Sequence, residues 1–233
     1  MTATRHPGVP QIVLPGQAAA VPGPLDMTNM YLAHYGFRRD LGRLLVAAGR
    51  VGLADRARIT ALHEHLTWVL LVLHHHHTAE DETVWPRLRR RAPEAAEVID
   101  ALEAEHAEAD RWIGESETAF AAFAARPTEE GRARLVTALR SLGDVLGAHL
   151  AHEETEGIPL MMAHITPEED AEGHKGIQKE YGLSGMLKLV PWITSDLPPE
   201  VEEHLRRTAP KGLLLVNRLV RRRYERRMAY LWG

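Results

Sequence analysis

The chain contains no cysteine among its 233 residues. Disulfides, thiolate chemistry and zinc-finger sites are therefore excluded. Aromatic residues make up only 6%, and alanine and leucine are frequent, a balance that favours helix over sheet. Long apolar runs are missing too. The most apolar stretch, "WVLLVLHHHH", is far shorter than the roughly 20 residues a spanning helix needs, and it ends in histidine. Positive charge is not in excess, and a net charge of −4 argues against a general nucleic-acid binder. The N-terminus shows no basic-then-apolar leader pattern, so the expectation is a cytoplasmic protein. What is abundant is histidine: 14 residues, four of them consecutive at 74–77 in the middle of the chain.

Residues 1–25 carry proline and glycine every few positions and show neither helical nor strand period, which reads as an extended or disordered arm. Four long helical segments follow, over about 26–49, 55–91, 93–126 and 128–164. Asp55 and Thr128 can cap the second and fourth, and prolines stand at the boundaries. The connections are short, so consecutive helices are predicted to be antiparallel neighbours in an all-α, up-down-up-down four-helix bundle over residues 26–165. Residues 166–233 are read as a helical extension packing on that bundle. Within it, "TPEEDAEGHKGIQKEYG" and "LPPEVEEHLRRTAP" read as short helices separated by "GLSGMLKLVPWITSD". The terminal "KGLLLVNRLVRRRYERRMAYLWG" reads as a basic amphipathic helix whose arginines face water, and membrane contact through it is not expected.

Two of the long segments carry polar residues on their apolar stripes. His76 and Glu80 follow Leu62, Leu66, Val69 and Leu73 at helical spacing, and His149 and Glu153 follow Leu135, Leu139, Leu142 and Leu146. The two stretches repeat each other. "HHTAEDETVWP" aligns with "HLAHEETEGIP" at an offset of 73, and His34 aligns with His106 at an offset of 72. Residues four apart on a helix share one face, with Cβ atoms roughly 5–6 Å apart. Each His-x-x-x-Glu pair can therefore aim an imidazole and a carboxylate at one point. With one histidine from each remaining helix, the set is His34, His76, Glu80, His106, His149 and Glu153. Imidazoles mixed with carboxylates suit iron or manganese, and carboxylates can bridge two ions. A single zinc would use three or four ligands and leave buried carboxylates over. His77 and Asp81 lie about 100° around the helix from His76 and Glu80 and are read as flanking groups.

These motifs resemble the hemerythrin family, in particular its HHE cation-binding branch. "HHTAEDETVWP" and "HLAHEETEGIP" match its two His/Glu helices, and "AHYGFRRDL" and "EAEHAEA" match its single-histidine helices. The resemblance implies a centre of two non-haem iron ions, with Glu80 and Glu153 bridging and the histidines as terminal ligands. It also implies chemistry on dioxygen, peroxide or nitric oxide. One departure stands out. Oxygen-carrying hemerythrins have two histidines four apart on the third helix, and here the position four before His106 is Leu102. An open coordination position is therefore expected near Leu102, Tyr31 and Glu103, with Asp110 on the same face. This argues for peroxide removal or oxidation chemistry over simple oxygen transport, the alternative being non-catalytic binding or sensing of oxygen, nitric oxide or iron. A ferritin-like arrangement needs Glu-x-x-His on two helices, and only Glu103 to His106 fits. His63 and His65 read as surface residues, His152 as a neighbour of the site or a core-edge residue, and His6, His164, His174 and His204 carry no partner pattern.

Overall fold

Helix boundaries follow the caps and prolines. In the computed structural model, which describes residues 8–233 apart from the side chains at 174, 175, 177, 178 and 180, α1 spans Thr28–Arg50 and α2 spans Arg56–Ala79. His6 and the side chain of His174 lie outside these described residues. Asp55 caps α2 by accepting from the Arg58 N–H at 3.0 Å. The chain then passes through one π-helical turn, Glu80–Val84, into α3 (Trp85–Arg91). Next come α4 (Ala96–Ala125), which stops ahead of Pro127, and α5 (Glu129–His152), capped by the Thr128 hydroxyl on the Gly131 N–H at 3.0 Å. A second π turn, Glu153–Gly157, leads into α6 (Ile158–His164). The extension comprises α7 (Pro167–Ile193), α8 (Pro199–Thr208) and α9 (Lys211–Trp232). Among the described residues there is no strand, only one bridge between Val9 and Gly23.

The two π turns have a common origin in the repeat. Each precedes a proline, Pro86 or Pro159. A proline within a helix has no N–H for the carbonyl four residues back, and its ring collides with that carbonyl. Widening the turn relieves the collision, and the N–H groups of Trp85 and Ile158 reach five residues back to the carbonyls of Glu80 and Glu153. The widened turns thus begin at the two carboxylates on the apolar stripes.

The four long helices close a ring, with α1 against α2 and α5, and α4 against α2 and α5. Inside it lie two hydrophobic clusters. One contains Phe37, Leu73, Leu146 and Phe120, and the other contains Tyr31, Trp85, Leu102 and Ile158. The histidines and glutamates of the repeat lie between the two clusters. Residues 8–25 of the arm are packed: Ile12, Leu14 and Leu25 are buried in the second cluster. The Gln11 amide fixes the arm's bend by donating to the Val9 and Leu25 carbonyls and accepting from the Met27 N–H.

The extension is docked through one buried ionic knot. Asp40 on α1 receives the Trp192 indole N–H at 2.9 Å and the Arg39 Nε–H at 2.7 Å, and lies 2.7 Å from His65 Nε2. The surface position expected for His65 is thus corrected. It is buried, because its face of α2 is covered by α1 and by Trp232 of α9. His63 stacks on Phe120, with ring centroids 5.1 Å apart. Trp192 also packs on Gly36, where a Cβ would come within 2.7 Å of the indole, so glycine is what permits this approach. A second correction concerns "GLSGMLKLVPWITSD". Apart from Gly182, whose φ of 57° breaks α7, the segment is helical as far as Ile193 and supplies Trp192 to the docking face. α9 packs on α7, α1 and α2, burying Met228 and Leu231, while Arg221 and Arg227 pair with Glu202 and Glu64. No helix among the described residues is long and apolar enough to cross a membrane.

Candidate metal centre

The ring of helices brings all six sequence-derived residues together. Together with a seventh residue, His77, their ligand atoms fall into three groups, each within 4.8 Å: His34, His76 and Glu153; His77, His106 and His149; and Glu80, His149 and Glu153. Each group could hold a metal ion, and shared members join them into one cluster.

Carboxylates orient three of the imidazoles. His34 Nδ1 lies 2.9 Å from Glu154, His106 Nδ1 lies 2.8 Å from Asp81, and His149 Nδ1 lies 3.0 Å from Glu105. An ionised carboxylate only accepts, so each of these Nδ1 atoms carries a proton, and in a neutral imidazole that leaves Nε2 with the lone pair a metal ion needs. Burial lowers the His34 pKa, but Glu153 and then Glu154 outweigh it and raise it, so a metal ion would have to displace a proton there. Those Nε2 atoms point inward. His34 Nε2 is 3.1 Å from Glu153 Oε2, His106 Nε2 is 3.5 Å from Glu80 Oε2, and His149 Nε2 is 3.9 Å from Glu153 Oε2. His106 and His149 face each other Nε2 to Nε2 at 3.1 Å. Two lone pairs held that close repel unless a cation lies between or beside them. Carboxylates behind imidazoles are the arrangement by which proteins hold histidine ligands in one tautomer and raise their basicity.

The repeat explains this outer layer. Asp81 and Glu154 occupy equivalent positions in the two copies, and each holds the single histidine of the other copy, His106 or His34. Arg38 grips Glu154 with both guanidinium ends, at 2.7 and 3.1 Å. The arm contributes as well, through the Ala18 N–H donating to Glu154 at 2.6 Å. Glu105 has no marker in the sequence beyond its place next to His106. It holds both His149 and His152, the latter at 2.8 Å.

Inside this layer the polar atoms have few protein partners. Both oxygens of Glu80 and of Glu153, His76 Nε2 and both ring nitrogens of His77 are buried without a hydrogen bond. Such groups are costly to bury unless an ion meets them. Glu80 directs Oε1 toward His76, at 3.4 Å, and Oε2 toward His106. Burial, and then the charge of Glu153, pushes the Glu80 carboxyl well above the usual carboxylate range. Burial pushes Glu153 upward too, but His34, followed by His76 and His149, outweighs it and holds that carboxyl low. Burial, then the neighbouring imidazole His34, pushes His76 down to about 3. His77 is pushed down by burial and His106, and His106 by burial and His149. The neutral forms of these three imidazoles, the forms that bind metal, are therefore favoured.

Two expectations about individual residues change. His77, read from sequence as flanking, is buried and stacks on His106 with ring centroids 4.0 Å apart, inside one of the three groups. α2 has α1 on one side and α4 on the other, so two residues 100° apart both face inward, His76 toward His34 and Phe37 and His77 toward His106. The acidic residues expected beside Leu102 also turn away from the centre. Leu102 is fully buried, Glu103 turns outward to Arg89 at 2.7 Å, and Asp110 is exposed. Tyr31 is buried, and burial raises its hydroxyl pKa, with Glu154 and Glu153 adding to the effect. The second-copy equivalent of His77 is Leu150, which leaves the His34, His76 and Glu153 group one imidazole poorer.

Replacing Glu105 with alanine is expected to weaken metal binding by about 10–100-fold while leaving every direct ligand in place. Competition with a chelator measures this, and an unchanged affinity would remove Glu105 from the site's support.

Residues 26–161 match the family described as Hemerythrin HHE cation binding domain. No curated protein and no solved structure matches the chain.

Proposed function

The chain belongs to the hemerythrin HHE cation-binding family, and from that premise we propose that it holds two iron ions in an up-down-up-down four-helix bundle and uses them on peroxide or dioxygen. His34, His76 and Glu153 hold one ion, and His77, His106 and His149 the other. Glu80 and Glu153 would be shared between the two, since each carboxylate faces histidines of both groups. The observation that carries the reading is the set of carboxylate oxygens and imidazole nitrogens buried together with no other partner. Bound iron supplies redox chemistry and Lewis acidity toward a small oxygen species. The protein's part is to hold neutral imidazoles in one tautomer and to keep bulk water away with two hydrophobic clusters. An ion held by His34 and His76 would have one imidazole fewer than its neighbour, because Leu150 stands where the other copy has His77, and that side would be the one to take up a small oxygen species. Disproportionation of peroxide, one molecule oxidised to dioxygen and a second reduced to water, requires no external reductant.

The test is metal content per chain on anaerobically purified protein, followed by optical spectra on adding air and then peroxide. Two irons, irreversible oxidation and rapid loss of peroxide are the expected result. Two irons with a reversible oxygen-dependent band would favour a carrier or sensor of oxygen or nitric oxide, and one zinc or no metal would end the di-iron reading. In the same assay His76→Ala and His77→Ala should each lower the iron content. Normal iron in His77→Ala would return that residue to a flanking role.

A further inference from the structure

A cavity of about 200 Å³ lies against the centre, between α1, α2 and α6 on one side and α7 and α9 on the other. Its lining is mostly apolar. Val72, Leu189 and Trp192 form its buried wall, and four of the chain's seven methionines, Met27, Met30, Met161 and Met186, line it. Asp26 and Asn29 stand exposed at its rim. Of the residues in the three candidate metal groups, only His76 reaches it, with a side chain 12% exposed.

We infer that this cavity is a binding chamber for a small, uncharged, apolar organic molecule, held against the edge of His76. An apolar cavity of about 150 Å³ stays dry and takes up benzene, so this one has room for a bicyclic aromatic or a short aliphatic chain. Dioxygen and peroxide are far smaller and need no such space. Methionine side chains adapt to irregular apolar guests. The described lining contains no lysine or arginine to hold an anionic guest, and Asp26 stands at its rim. The outer wall is also an addition to the family's matched span. That span ends at residue 161, whereas Tyr181, Met186, Leu189 and Trp192 all lie beyond it. Trp192 is pinned in place by Asp40 and by its contact with Gly36. The extension thus completes a pocket that the four long helices alone leave open. That the guest lies beside an iron rests on the function proposed above; the binding itself does not.

The test uses the full chain labelled with [13C-methyl]methionine, both metal-free and iron-loaded, titrated with naphthalene and separately with naphthalene-2-sulfonate. Saturable shifts of the Met27, Met30, Met161 and Met186 methyls are expected with naphthalene, with Met228 unmoved and the sulfonate without effect. Met186→Trp, which fills the cavity, should weaken naphthalene binding by about tenfold or more. No saturable shift, equal movement of Met228, or tight sulfonate binding would overturn the chamber on the unaltered chain alone. Shifts in a chain that binds no iron would leave the chamber standing and remove the di-iron reading. Iron without shifts would do the reverse.

Discussion

Glu153→Ala is expected to empty the whole centre, leaving the chain without either ion. Glu153 belongs to two of the three ligand groups, and its Oε2 approaches His34 and His149, which lie on α1 and α5. Without it, the His34 and His76 group keeps only its two imidazoles, and the group of Glu80 and His149 loses one of its two carboxylates. Losing an outer-layer partner costs about 10–100-fold in metal affinity, and losing a shared ligand should cost more than that. The metal-free fold should lose stability as well, because the substitution takes away the buried charge partner of His34, whose Nε2 lies 3.1 Å from Glu153 Oε2. Metal analysis and thermal unfolding of the same preparation separate the two effects. One ion retained per chain would show that Glu153 does not bridge.

The second large effect falls outside the centre. Asp40→Ala should destabilise the protein by about 3–5 kcal/mol, because the substitution leaves the buried Arg39, His65 and Trp192 donors without their shared acceptor. For a domain of this size that corresponds to a Tm lower by roughly 6–20 °C. The extension should loosen first, visible as a change in Trp192 fluorescence. The same knot predicts an acid limit. Burial raises the Asp40 carboxyl, but the contacts of His65 and Arg39 outweigh it and bring it down to about 2 from 3.8. A carboxyl whose folded pKa is depressed stabilises the fold fully above its unfolded value, and that contribution disappears as pH falls through the folded value. Docking of the extension through Asp40 should therefore be intact above about pH 4 and lost toward pH 2. A tenfold change in proton affinity on folding is worth about 1.4 kcal/mol, so about 2 kcal/mol is at stake. Acid unfolding of Asp40→Asn that lacks this component would support the assignment, and an unchanged acid profile would refute it.

What the sequence determined by itself is whatever depends on residues near one another along the chain. The helix spans follow from apolar period, from the caps at Asp55 and Thr128 and from the prolines. His76 with Glu80 and His149 with Glu153 were legible because four residues make about one helical turn, and the duplication marked both pairs and both single histidines. The tertiary structure decided everything that depends on which helix covers which arc. A helix with two inner neighbours buries a wide arc, and so His77 enters the centre beside His76 although its position on the period pointed elsewhere. His65 is buried because Asp40, 25 residues earlier, comes to meet it, and Trp192 joins them from 152 residues beyond Asp40. Glu105 acts through His149, 44 residues away, and the arm through Glu154, 136 residues from Ala18. No local period encodes such distances. They arise only when the hydrophobic faces of the helices pack, and that packing selects which polar neighbours each buried histidine will have.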